Sequence, residues 1–233
     1  MALSLGADGV EMDVHLARDG VPVVIHDSTL NRTGLTGGRV SEMTSAELSR
    51  VGVGRWFNLK YPGRANEAFN DERVSTLAEV LTALGDFTGL VYIELKCNDS
   101  DFSALAHAVC DVIRSSPLMP QVIIKSFKLA AIPEIRHHLP EVETAVLIGQ
   151  TIMDYLRHRR HILAISHEFG AQQISMHYSI VTRKLAALAN EMEIPVTIWT
   201  TDSPKWIKRC AEFGVRSLIT DDPGKLLAAR NHH

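Results

Sequence analysis

Apolar residues along this chain follow two rhythms. Short runs rich in β-branched residues at 9–14, 21–27, 90–96, 121–126, 142–148, 171–176, 195–200 and 215–220 read as strands. Longer stretches with apolar positions three and four apart separate most of them and read as helices. Start signals support the helices. Thr44 with Glu47 and Thr76 with Glu79 have the spacing of capping boxes, and Asp101 is placed to cap the next helix. Ser203-Pro204 and Asp222-Pro223 each read as a capping residue followed by a first-turn proline. This alternation predicts a parallel sheet covered by helices, closed or open. The segment from about 31 to 74 breaks the rhythm: it is Gly-rich and polar, has one short helix, and reads as an excursion over the strand ends. With no internal repeat, low-complexity tract or interdomain linker, residues 1–233 are expected to form one domain.

Between the first two runs lies Asp19-Gly20, a strong short-range hairpin signal. A two-residue turn there sets Arg18 opposite Val21 and Asp13 opposite His26. Glu11 shares the face of Asp13, because strand side chains two apart point the same way. Two carboxylates and an imidazole then converge, which suits a hard divalent cation with an acid–base group beside it, or simply a polar exposed hairpin face. Glu11 and Asp13 interrupt an apolar strand that should be half buried, and buried carboxylates are costly unless paired or bound to metal. That context favours the metal. In the 90–96 run, Glu94 and Lys96 share a face at the C-terminal end, where parallel barrels place their active sites.

Composition narrows the class without naming a function. A chain of 233 residues that is 45% hydrophobic and 22% charged suits one large α/β domain. A net charge of -3 gives no case for nucleic-acid binding, and no apolar run is long enough to span a bilayer. The three cysteines, Cys97, Cys110 and Cys210, are odd in number and widely spaced. They read as reduced thiols in or near the core, which slightly favours the cytoplasm over an oxidising compartment. His137, His138, His158 and His161 fall in polar, Arg-rich helical segments and read as a solvated face, while His232 and His233 read as a tag remnant.

Several blocks together carry a family resemblance. They are Gly6-Ala7-Asp8-Gly9-Val10-Glu11-Met12-Asp13-Val14-His15-Leu16, Arg18-Asp19-Gly20-Val21-Pro22-Val23-Val24-Ile25-His26-Asp27 and Leu30-Asn31-Arg32-Thr33. The pattern continues through Arg73-Val74-Ser75-Thr76-Leu77-Ala78-Glu79-Val80-Leu81, Ile93-Glu94-Leu95-Lys96 and Ser126-Phe127. It closes with Val196-Thr197-Ile198-Trp199-Thr200 and Gly214-Val215 to Ile219-Thr220-Asp221. In this order and over nearly the whole chain, the blocks resemble the glycerophosphodiester phosphodiesterase family. The resemblance implies a (β/α)8 TIM-type barrel with a hairpin arm and an excursion matching 31–74. It also implies metal-assisted hydrolysis of a small glycerophosphodiester to glycerol 3-phosphate and an alcohol. By position, Glu11, Asp13 and Glu94 match the family's metal ligands, His26 a catalytic histidine, and Lys96 a lysine that stabilises phosphate charge. Trp199 and His177 match positions lining the substrate site.

The residues agree with that chemistry and leave alternatives beside it. An all-carboxylate set favours Ca²⁺ or Mg²⁺ over softer metals. Lys96 suits phosphate oxygens as a compact donor, or a salt bridge with Glu94 or a neighbouring carboxylate. Trp199 suits strand packing equally well, and His177 suits a satisfied structural histidine. Family members normally open with a strand ending in His-Arg-Gly and then a Pro-Glu-Asn-Thr block. Neither occurs here, so the expectation is a barrel lacking its first strand and impaired as written, whether as a fragment, an internal gene start or a true short form. The rival functions are a non-catalytic module that binds metal and phosphate, and a related barrel phospholipase. Oligomeric state is open.

Overall fold

The structure, a computed structural model, describes residues 2–150 and 159–231. The expectations for His158, His232 and His233 therefore lie outside the described residues. Contacts divide the chain into two compact units: Met1–Glu11, Gly89–Tyr92 and Gln121–His233 form one, Met12–Thr88 and Ile93–Pro120 the other. Strands β1 (Gly9–Leu16) and β4 (Leu90–Leu95) run through both.

In the second unit β1 leads through a hairpin to β2 (Pro22–Val24), which pairs antiparallel with a short strand, β3 (Ser75–Thr76). The observed register is Val14 to Val24, His15 to Val23 and Leu16 to Pro22. This is one residue off the expected register. The turn is a three-residue loop, Arg18-Asp19-Gly20, closed by Ala17 N–H donating to the Val21 carbonyl at 3.0 Å. Gly20 takes φ +80°, as the third position of such a loop requires. The choice is tertiary: both Asp19 carboxylate oxygens accept from the Ser45 backbone N–H, at 3.0 and 3.1 Å, so Asp19 is committed elsewhere. The Asp13 backbone carbonyl consequently accepts from the Ile25 N–H at 3.0 Å, and His26 falls beyond the end of β2.

Residues 31–74 hold more helix than expected: α1 (Ser45–Leu48), α2 (Arg55–Lys60) and three 3₁₀ turns. Leu30, Val40, Leu48 and Val74 bury themselves on Ala17, Val23 and Ile25 of the hairpin. A fully buried Leu contributes about 1.5–3 kcal/mol, so the excursion is held by its own small core. Both predicted capping boxes are present, Thr44 with Glu47 opening α1 and Thr76 with Glu79 opening α3 (Leu77–Leu84). Helix α4 (Phe102–Arg114) buries Leu105, Val109, Cys110 and Ile113. Asp101 takes the N-cap position as expected, but its carboxylate turns away from the helix and accepts from the Asn98 backbone N–H at 2.7 Å and side-chain amide at 3.0 Å.

The first unit carries β5 (Val122–Ser126), β6 (Glu143–Ile148), β7 (Gln173–His177), β8 (Val196–Trp199) and β9 (Ser217–Leu218), all parallel. Hydrogen bonds Leu90 to Asp8 and Lys96 to Val14 advance in step and make β1 and β4 parallel as well. The strand order is β3-β2-β1-β4-β5-β6-β7-β8-β9. Helices α5 (Ala131–His138), α6 (Arg159–Glu168), α7 (Arg183–Glu191), α8 (Lys205–Phe213) and α9 (Pro223–Arg230) follow the later strands. β5, β6 and β7 are buried on both faces, which suits the apolar stretches of β5 and β6. Asp222 caps α9 ahead of Pro223 as expected. At α8 the structure differs: Ser203 offers its carbonyl, not its hydroxyl, to the Trp206 N–H at 3.0 Å, and Pro204 takes the capping position. Among the described residues no helix is long and apolar enough to cross a membrane.

Candidate active site

Strand parity does the first work. On β1, Glu11 and Asp13 share a face; on β4, Tyr92 and Glu94 do, and Lys96 follows one residue past its end. Glu94 is 6% exposed, and a carboxylate that buried needs compensation. Lys96 supplies it, with its ammonium on Glu94 Oε1 and 3.0 Å from Asp13 Oδ1. Burial opposes the charge on Lys96, but Glu94 and Asp13 outweigh it and raise its pKa. The salt-bridge reading of Lys96 is therefore realised, with two carboxylates and not one. Glu11 has its own cation: Lys125 on β5 lies 2.7 Å from its Oε1.

Each of Glu11, Asp13 and Glu94 offers an oxygen, and these oxygens lie within 4.8 Å of one another. Three carboxylates of this spacing fit a hard divalent cation with oxygen ligands, and the two lysines show that the negative charge there demands positive partners.

His26 occupies a different setting. Its side chain is 61% exposed, and Nδ1 lies 2.7 Å from Asp27 Oδ1. Asp27 in turn accepts two bonds from Arg32, from Nε at 2.7 Å and from one Nη at 2.8 Å. The Arg32 guanidinium, followed by the His26 contact, holds the Asp27 carboxyl down to about 2. Arg32 stacks over the Trp56 ring of α2 at 4.9 Å, so the excursion reaches the histidine through two side chains. Sequence reasoning assigned no role to Asp27, Arg32 or Trp56. Asp27 and Arg32 both lie in blocks that carry the family resemblance, and Asp27 directly follows His26.

The remaining expected residues sit at C-terminal strand ends in the first unit. Trp199 closes β8, His177 closes β7, and their rings meet edge to face at 5.2 Å. Phe127, one residue past β5 and 48% exposed, meets Trp199 at 5.4 Å. His177 also holds its own loop, because its Nδ1 accepts from the Ser179 N–H at 3.3 Å and lies 2.8 Å from the Ser179 hydroxyl. Burial lowers its pKa, which favours the neutral ring. Trp199 Nε1 is buried without a hydrogen-bond partner.

Residues 1–225 match the glycerophosphoryl diester phosphodiesterase family. A glycerophosphodiester phosphodiesterase of Caldanaerobacter subterraneus subsp. tengcongensis is 30% identical over 226 residues, spanning 97% of this chain and 87% of the relative. One from Bacillus subtilis is 30% identical over 228 residues, spanning 95% of this chain and 76% of the relative. The crystal structure of a Silicibacter pomeroyi protein, provisionally assigned to glycerophosphoryl diester phosphodiesterase activity, is 28% identical with a TM-score of 0.86, covering 99% of this chain and 85% of that one. An Oleispira antarctica phosphodiesterase, crystallised with the product sn-glycerol-3-phosphate, shares the fold at 19% identity and a TM-score of 0.82, covering 98% and 87%. The likeness covers the (β/α)8-type α/β barrel class expected from the sequence.

Proposed function

Since this chain belongs to the glycerophosphoryl diester phosphodiesterase family, and so to the phosphoric diester hydrolases, we propose that it cleaves a small glycerophosphodiester to glycerol 3-phosphate and an alcohol with a divalent cation. The carboxylate group of Glu11, Asp13 and Glu94 carries this reading. These three would hold the ion, Ca²⁺ or Mg²⁺, both of which take carboxylate oxygens. When bound, the ion would neutralise phosphate charge and polarise the phosphoryl group. The product seen with the Oleispira antarctica enzyme is the one proposed here.

The chain's own groups divide the remaining work. His26 moves the proton. Asp27 engages Nδ1, which leaves Nε2 as the exchanging nitrogen, and the carboxylate stabilises the imidazolium that forms. Lys96, held charged by two carboxylates, is the donor for phosphate oxygens. Trp199 and His177 line the substrate, and Phe127 extends their aromatic wall.

The test is turnover of glycerophosphocholine by the purified chain in Ca²⁺ or Mg²⁺, read as glycerol 3-phosphate release. EDTA should abolish it, and His26→Ala should lower kcat by about 100-fold or more. Cation binding without turnover would favour the non-catalytic module, and cleavage of phospholipid in preference to the water-soluble diester would favour the phospholipase.

A further inference from the structure

Lys125 is the bulkiest fully buried side chain among the described residues, at 1% exposure. It stands in an apolar strand, Val122-Ile123-Ile124-Lys125-Ser126, whose every residue is buried, and it pairs in register with Ala145 of β6. Ile123, on the same face, belongs to an apolar cluster with Tyr92 and Ala145. A methionine or leucine would pack at such a place with no charge to desolvate, and replacing buried ion pairs by apolar groups is often neutral or stabilising. Packing alone therefore does not account for an ammonium here. What it touches is specific: Glu11 Oε1 at 2.7 Å, with Lys125 nearly sealed from solvent and Glu11 more open to it.

We propose that Lys125 is an internal counter-ion of the Glu11 carboxylate that positions it and sets how tightly this chain holds its divalent cation. The proposal rests on Glu11 being a ligand, as read above. A cation that takes Glu11 shares that carboxylate with an ammonium already on it, and two positive charges on one carboxylate repel. In surroundings of low effective dielectric this lowers cation affinity by about tenfold or more. The gain is a Glu11 carboxylate aimed before the ion arrives, and an ion that exchanges readily.

Calorimetric titration of the whole chain with Mg²⁺ and with Ca²⁺, without substrate, decides the matter. Lys125→Met should bind at least about tenfold more tightly, and Lys125→Arg, which restores the charge, should return toward the wild-type affinity. Glu11→Gln serves as the separate control on the site and should weaken binding. If Glu11→Gln weakens binding but Lys125→Met binds equally or less well, Lys125 is structural and the proposal fails alone. If Glu11→Gln changes nothing, the reading of Glu11 as a ligand fails and takes the proposal with it. Should Lys125→Met not fold, the side-chain ammonium resonance of Lys125 in the unaltered protein gives the answer. It should shift on Mg²⁺ addition, and an unmoved signal at saturating Mg²⁺ overturns the proposal.

Discussion

Asp27 links the chemistry of a single residue to the stability of the chain. Bonded to Arg32 and to His26, it titrates near 2, below the ordinary carboxylate range. A group whose folded pKa is depressed stabilises the fold above its unfolded pKa, and that stability fades as pH falls from about 4 toward about 2. Screening at this partly open position leaves about 1 kcal/mol. Asp27→Asn should therefore flatten the acid limb of a urea-midpoint-against-pH curve. The same variant should lower kcat by about 10- to 100-fold with KM little changed, because an amide neither fixes the Nδ1–H tautomer nor stabilises the imidazolium. Equal kcat in the two proteins would remove Asp27 from the mechanism.

At the scale of elements, the hairpin and the excursion are interdependent. Asp19 bonds Ser45 at the start of α1, Arg18 donates to the Glu42 carbonyl at 2.9 Å, and the loop lengthens to three residues. The tightest approach in the excursion is at Gly54. A Cβ on Gly54, just before α2, would lie 1.6 Å from the Phe69 carbonyl oxygen, so any side chain there must displace backbone. Gly54→Ala should destabilise the protein by about 2 kcal/mol or more, measured by chemical denaturation. It should also raise hydrogen exchange first across residues 55–72, the α2 segment and the 3₁₀ turns after it. By the route from Trp56 through Arg32 to Asp27, kcat should fall with it. An unchanged kcat would separate the excursion from the histidine.

For the whole molecule, the cysteines report where structure protects the chain. Burial pushes the Cys110 thiol to about 12 and the Cys210 thiol to about 11, whereas Cys97 is only half buried. At pH 8 a thiol reagent should modify Cys97 first, with Cys110 and Cys210 reacting fully only in denaturant; fast labelling of Cys110 in native buffer would contradict the packing of α4. Much of the molecule was legible in advance, because its signals are local. Period-two runs placed the strands, the Thr44 and Thr76 capping boxes placed two helices, and pleat parity put Glu11 with Asp13 and Glu94 with Lys96. The motifs in order pointed to the family. Other features depend on which distant segments become neighbours. The hairpin register turned on Asp19 meeting Ser45, and the Lys125–Glu11 pair on contacts across 114 positions of chain (125 minus 11). Arg32 on Asp27, with Trp56 behind it, needed the excursion to fold back. Backbone periodicity and capping act within a few residues and are written in the sequence. Ion pairing and desolvation depend on distance in space, and only the folded chain decides those.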